Sequence, residues 1–320
     1  MASQPKPLVI ALEEHYTDPE VLSYATAGGR GGNIPERLAD MGEWRLREMD
    51  EAGIDIQVIS HAPPPQLYRL NPETAVEVAA RANDRLRESV DARPDRFRAF
   101  ALLPTPDPLA AADELERSVT QLGFKGAMIH GLTGDQFVDG KKYWPIYERA
   151  QALDVPIYIH PAAPHPAVVE AYYKDYLAEY PSIATAGWGY TVETATQGIR
   201  LVLSGVFEAY PDLKIILGHM GESLPFSLVR IDEAFSRSGN HPISFREVFC
   251  DHFWITTSGN FSTSALLCSM LEMGADRILF SVDWPFVENA PGTRWMQDVP
   301  ISSEDKAKIL SGNAQRLLKM

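Results

Sequence analysis

Five side chains dominate the chemistry available to this sequence: Glu13, His15, His160, His219 and Asp283. Each ends a short apolar run that reads as a buried strand, namely Leu8–Leu12, Val155–Ile159, Leu213–Leu217 and Arg277–Val282. Two carboxylates with imidazoles are a donor set for a divalent ion such as Zn, Mn or Fe. Glu13 and His15 are two apart on or just past one strand, so their side chains leave the same face and can reach one ion. Asp283 would be an isolated charge in a buried strand unless it is paired or metal-bound. Singly, each has a plain structural explanation: a polar strand end, or an imidazole satisfied in the core. Jointly, they all occupy the C-terminal ends of strands, where a parallel barrel builds its active site.

The elements that must position them follow from the hydrophobic pattern. Apolar strands alternate with amphipathic helices along the whole chain. Further strands are expected at Asp55–Ser60, Phe97–Leu103, Gly126–His130 and Phe253–Thr257. A helix starts at Asn71-Pro72-Glu73, a capping residue followed by a first-turn proline. Its stripe of Ala75, Ala79, Ala82, Leu86 and Val90 has helical period. Another starts at Asp107-Pro108 and stops at Gly123, and more are expected near 142–153, 190–209, 223–237, 262–273 and 303–318. Eight strand–helix units predict an α/β fold, a (β/α)8 TIM barrel forming one domain over 1–320. Two connections are long, Tyr16–Gly42 after strand one and Pro161–Gly189 after strand five, and both fall on the catalytic face. The tyrosines at 172, 173 and 176 are expected to wall the pocket there. The glycine run Gly28–Asn33 neither follows a strand directly nor opens an obvious helix, so it reads as a loop rather than a phosphate cradle.

The bulk composition bounds the partners. The 320 residues carry a net charge of -14, which excludes nucleic acid and anionic membranes as partners. Apolar content is 45% and the chain shows no long apolar segment, so neither a membrane span nor a signal peptide is expected. The two cysteines, Cys250 and Cys268, form no metal motif or disulfide framework, which suits the cytoplasm. His130 and His61 end strands and are candidates for the pocket, whereas His165, His241 and His252 fall in loops or at a strand start.

Several stretches carry a family resemblance. They are Ala11-Leu12-Glu13-Glu14-His15, Arg93-Pro94-Asp95-Arg96-Phe97, Gly123-Phe124-Lys125-Gly126-Ala127, Ile216-Leu217-Gly218-His219-Met220-Gly221-Glu222, Thr256-Thr257-Ser258-Gly259-Asn260-Phe261, Ala275–Ser281, Asp283-Trp284-Pro285-Phe286 and Gly312-Asn313-Ala314. In these the chain resembles the amidohydrolase superfamily, in its non-oxidative aromatic acid decarboxylase branch, which includes the γ-resorcylate, 2,3-dihydroxybenzoate and 5-carboxyvanillate decarboxylases. The resemblance implies one divalent metal ion, Mn2+ or Zn2+, held by Glu13, His15, His160 and Asp283. It implies that His219 contacts the substrate, that Glu222 supports His219, and that Arg230 lies near the substrate carboxylate. The Glu-x-His start, and Lys125 at the wrong end of strand four to bridge two metals, favour a single ion. The branch acts on small aromatic carboxylates and implies a homodimer or homotetramer.

The expected reaction is reversible, metal-dependent decarboxylation of an ortho-hydroxybenzoate such as 2,6-dihydroxybenzoate. The carboxylate and phenolic oxygens of such a substrate can chelate one ion. Asp283 is the expected proton donor to the ring carbon, and His219, oriented by Glu222, the partner of the developing oxyanion. The chain departs from its γ-resorcylate relatives at His130, where they carry Asn, and in the segment around Phe286, which holds one extra residue before Glu288. Both are expected to touch ring substituents. The competing readings are a metal-dependent lactonase or amidase on the same barrel, and a barrel that binds metal or ligand without turnover.

Overall fold

The computed structural model describes residues 7–24, 31–62, 66–237 and 242–320. Its strands are β1 (Ile10–Tyr16), β2 (Ile56–His61), β3 (Phe97–Ala99), β4 (Ala101–Leu102), β5 (Ala127–His130), β6 (Ile157–His160), β7 (Ile215–Leu217), β8 (Phe253–Thr256) and β9 (Ile278–Leu279). All pairings between them are parallel and run in chain order, β1-β2-β3 and then β4 through β9. This is the order of a (β/α)8 barrel, with its third strand broken at Phe100. There the backbone changes partner: Phe100 N–H donates to Ile59 and Ala101 N–H to Gly126. A continuous strand over 97–103 was expected, and the break shows that strand three serves its two neighbours with different residues.

The strands are short and apolar because both faces are covered, by helices outside and by packed side chains within. One layer, Ile10, Leu12, Val58, Phe100, Met128, Tyr158, Ile216 and Leu279, is buried as a cluster of its own. Helix starts follow the local chemistry: Asn71 caps Pro72–Ala92, Asp107 caps Pro108–Thr120 and Ser262 caps Thr263–Met273, each accepting a backbone N–H. The helix expected over 190–209 divides at Gly205, whose φ of 83° suits glycine, into Gly189–Leu203 and Val206–Ala209. That expected over 303–318 contains a π turn at Lys308–Gly312. The long connections hold short helices, including Pro19–Ser23 and Ile34–Ala39 after β1. Of the glycine run, Gly31 to Asn33 make a turn before Ile34–Ala39, and 28–30 lie outside the described residues, as does His241. Among the described residues no helix is long and apolar enough to cross a membrane.

The last strand meets the first mainly through the side chains of Glu14 and Ser281. Glu14 is fully buried and accepts the N–H of Val282 at 2.9 Å and of Trp284 at 3.2 Å. Ser281 Oγ accepts from Glu13 N at 2.7 Å, and His15 N–H donates to the Trp284 carbonyl at 2.8 Å. Burial pushes the Glu14 carboxyl up to about 8, against the two amide donors that favour its ionised form. A carboxyl raised from 4.5 in the unfolded chain holds its proton longer when folded. Its contribution to stability is complete below pH 4.5 and is lost as pH rises through 8. We expect Glu14→Ala to cost about 2–4 kcal/mol in denaturant unfolding, because two buried N–H groups lose their acceptor. Glu14→Gln should cost less and should remove that decline in stability.

Candidate active site

Glu13 and His15 leave β1 toward the barrel mouth, while Glu14 between them points into the closing wall. The register of β1 against β2 shifts between Ala11 and Glu14, a bulge that re-aims this stretch. His160 ends β6, and Asp283 follows β9 with φ of 75°. One ligand atom from each of Glu13, His15, His160 and Asp283 lies within 4.8 Å of all the others. His15 Nε2 is 3.2 Å from Asp283 Oδ1, and His160 Nε2 is 3.0 Å from Glu13 Oε1. Those same four atoms are buried, and among the described residues none has a partner in hydrogen-bonding geometry. Four orphaned donor atoms facing one another fit a shared cation, since leaving them unpaired would be costly.

Surrounding groups aim each ligand. His160 Nδ1 is 2.7 Å from the Pro161 carbonyl, which only accepts, so Nδ1 carries the proton and Nε2 keeps a free lone pair. Ser60 Oγ holds His15 Nδ1 at 3.2 Å. Burial, with His160 nearby, lowers the His15 pKa despite its carboxylate neighbours, leaving the neutral ring a metal requires. Three hydroxyls, from Tyr158, Thr256 and Ser258, converge on Glu13 Oε2, so that Oε1 alone faces the centre. Burial pushes the Glu13 pKa up, but His219 and His160 outweigh it and the net shift is downward. The three hydroxyl residues escaped the reading of the sequence. Tyr158 carried one usable signal, its place two residues before His160 on the same face of a strand.

His219 stands beside this cluster on an unusual backbone. Residues 219 to 223 all have positive φ, from 48° at His219 to 69° at Gly221. Four are not glycine, and left-handed helical residues cost about 1–2 kcal/mol each. The turn sets the His219 ring with Nδ1 2.8 Å from Glu222 Oε1, and with Nε2 3.6 Å from Glu13 Oε1 and 3.7 Å from Asp283 Oδ2. Gly218 permits the approach: a Cβ there would sit 2.9 Å from Glu13 Oε2. Burial disfavours a charged His219, but Glu13, Glu222 and Asp283 raise its pKa well above the ordinary value. Burial likewise opposes ionisation of Asp283, yet His15 and His219 hold its carboxyl well below the usual range.

A cavity of about 580 Å3 opens over these groups, with His160, His219, Glu222, Asp283 and Phe286 in its lining. Its walls include Ile34 from the first long connection, Thr185 from the second, and Tyr190 and Thr191 from the helix Gly189–Leu203 that follows it. The volume suits one small aromatic molecule.

Other expected residues fall elsewhere. Tyr172 and Tyr176 are exposed and Tyr173 is buried, and none of the three lines the cavity, because the short turns over 169–176 carry them past it. Arg230 is exposed on the helix Leu224–Arg237 and does not line the cavity either. That helix buries Leu224 and Leu228, and a residue two beyond Leu228 points the other way. His61 is structural: its Nε2 accepts from Asp18 N at 3.2 Å. His130 is 1% exposed and absent from the cavity lining, its ring 4.8 Å from that of His160. Burial holds the His130 pKa well below the ordinary value. His165 caps a short helix turn and His252 bonds the Leu213 carbonyl.

Removing a group that aims a ligand should weaken metal binding. We expect Tyr158→Phe to lower Mn2+ affinity about 10-fold or more in a chelator competition titration. Adding Mn2+ to metal-stripped protein should raise its Tm and release protons, and Glu13→Gln should blunt both responses.

The sequence matches the Amidohydrolase family profile over residues 33–320. It is 43% identical to a γ-resorcylate decarboxylase of a Polaromonas species, across 97% of this chain and 98% of that relative. A crystal structure of 2,6-dihydroxybenzoate decarboxylase complexed with 2,6-dihydroxybenzoate has a TM-score of 0.89 and 39% identity, covering 98% of this chain and 99% of the other. A dihydroxybenzoic acid decarboxylase from Polaromonas, with bound manganese and the inhibitor 2-nitroresorcinol, has a TM-score of 0.90 and 41% identity over 98% and 97% of the two chains. With a barrel of this order, four converging ligand atoms and a profile match over most of its length, the chain belongs to the amidohydrolase family.

Proposed function

We propose that this protein is a carboxy-lyase that decarboxylates an ortho-hydroxybenzoate, such as 2,6-dihydroxybenzoate, reversibly and without an oxidant. One observation carries the reading: the four orphaned ligand atoms sit beside the floor of a cavity whose wall also holds the His219–Glu222 pair. The high similarity to decarboxylases of this substrate class supports it.

A divalent ion, Mn2+ or Zn2+, held by Glu13, His15, His160 and Asp283 would act as a Lewis acid toward the carboxylate and phenolic oxygens and stabilise phenolate charge. The protein supplies the proton. His219 Nε2 stands 3.7 Å from Asp283 Oδ2, and the carboxylates around it raise its pKa, so His219 is the group placed to pass the proton to Asp283. Asp283 receives it and delivers it to the ring carbon that bears the carboxylate. The carbon–carbon bond then breaks, its electron pair returns to the ring, and CO2 leaves. Glu222 keeps the His219 ring turned toward Asp283, and the proton consumed in each turnover is replaced from solvent. Phe286 forms the cavity wall against the aromatic ring, 5.5 Å from the His15 ring. The reaction is contained in one domain spanning the chain. A cytoplasmic setting suits its two free cysteines, and we propose a homodimer or homotetramer, which light scattering would establish.

A metal-quantified assay against 2,6-dihydroxybenzoate, 2,3-dihydroxybenzoate, salicylate and 5-carboxyvanillate tests the function. Metal-dependent loss of substrate with CO2 release, and carboxylation in bicarbonate, are expected. Lactone hydrolysis without CO2 release from any of them would overturn it. In D2O the product should carry one deuterium at the vacated carbon. Asp283→Asn, checked for metal content, should lose turnover by about 100-fold or more. His130→Asn should shift the relative rates across the dihydroxybenzoates through its contact with His160. An unchanged profile would remove His130 from substrate choice.

A further inference from the structure

Arg37 has 4% of its side chain exposed, yet it reaches a carboxylate that is 65% exposed. Its Nη1 and Nη2 donate to the two oxygens of Glu288 at 2.8 and 2.9 Å. Nη2 also donates to Glu48 at 2.5 Å. Glu48 in turn accepts the indole N–H of Trp284 at 2.7 Å and of Trp44 at 2.6 Å. The Trp284 ring lies under the guanidinium groups of Arg45, at 4.0 Å, and Arg37, at 5.2 Å. A fork of two parallel bonds fixes both distance and orientation, as a lysine cannot.

The two ends of this pair belong to two different connections that both line the cavity. Arg37 sits one turn after Ile34 on the helix Ile34–Ala39, and Ile34 lines the cavity. Glu288 directly follows Phe286 and Val287, which also line it. The connection after the first strand and the connection after the last are thereby tied across 251 residues of chain. Neither Arg37 nor Glu288 touches the cavity itself.

We propose that Arg37 and Glu288 are paired positioning residues that hold these two connections at a set separation and so decide which ring substituents the cavity admits. The selectivity half of this rests on the decarboxylase reading above, whereas the bracing half does not. Glu48 anchors the guanidinium to Trp284, next to Asp283, so the brace is referenced to the site it serves.

The test compares holoenzyme with Glu288→Gln, Glu288→Asp and Arg37→Lys. Glu288 is mostly exposed, so its variants fold even if Arg37→Lys, at a buried position, does not. Amide hydrogen exchange is read over 31–39 and 283–289. Glu288→Gln should speed exchange in both segments together by about tenfold, and Glu288→Asp should restore part of the protection. Unchanged exchange in either segment would overturn the brace. Turnover of 2,6-dihydroxybenzoate is then compared with that of a bulkier 4-alkyl derivative. Glu288→Gln should raise KM for the parent about fivefold, leave kcat nearly unchanged, and narrow the kcat/KM preference for the parent. Faster exchange with an unchanged preference would overturn the selectivity role. Absence of turnover in the wild-type protein would instead count against the decarboxylase reading, and the exchange result would still decide the brace.

Discussion

The barrel closes on one buried carboxylate. Backbone ladders join β1 to β3 and β4 to β9, and the return to β1 runs through one backbone bond, from His15 N–H to the Trp284 carbonyl, and through Glu14, which takes the amides of Val282 and Trp284. Its immediate neighbours, Glu13 and His15, point the opposite way because successive strand residues alternate faces. Three consecutive residues thus do two jobs. The outer pair offers ligand atoms to the mouth, and the middle one fastens the strand end that brings Asp283 to meet them. Any slip of β1 by one residue would exchange these roles and lose both the seam and the cluster.

The site is held in conformations that short peptides avoid. Asp283 and the run from His219 to Ser223 have positive φ, and five of these six residues carry a Cβ. Such strain persists only where surroundings over-determine it. Here the surroundings are specific. Trp284 is fixed by its backbone N–H, its carbonyl and its indole, to Glu14, His15 and Glu48. The turn after β7 packs Gly221 so closely that a Cβ there would lie 2.8 Å from Ile255. The return is electrostatic. Glu13 and Asp283 face His219 Nε2 while Glu222 holds its Nδ1, and these carboxylates together raise the His219 pKa.

Much of this was legible in residue order. The ligands stood out because a charged or imidazole side chain at the end of a buried apolar run has few affordable explanations, and because all of them fell at the same end of their strands. Less legible were the groups that aim them. Tyr158, Thr256 and Ser258 are ordinary strand residues until Glu13 is known to lie 145, 243 and 245 positions away from them. The tyrosines of the second long connection misled for the opposite reason. Aromatic density predicts burial somewhere, but only the path of the turns decides whether a ring reaches the cavity or the solvent.

Period and punctuation along the chain were sufficient to predict a barrel and five candidate residues at its mouth, while the choice of four of them as metal ligands followed from the family resemblance. Alternation in strands and helical stripes are local consequences of backbone geometry, and they are written into every short window. Tertiary structure alone decided the broken third strand, the left-handed turn beneath His219, the withdrawal of His130 and Arg230 from the cavity, and the pairing of Arg37 with Glu288. Each of these depends on a through-space neighbour supplied by a remote part of the chain. Burial, hydrogen-bond partners and protonation are properties of that neighbourhood and not of the residue.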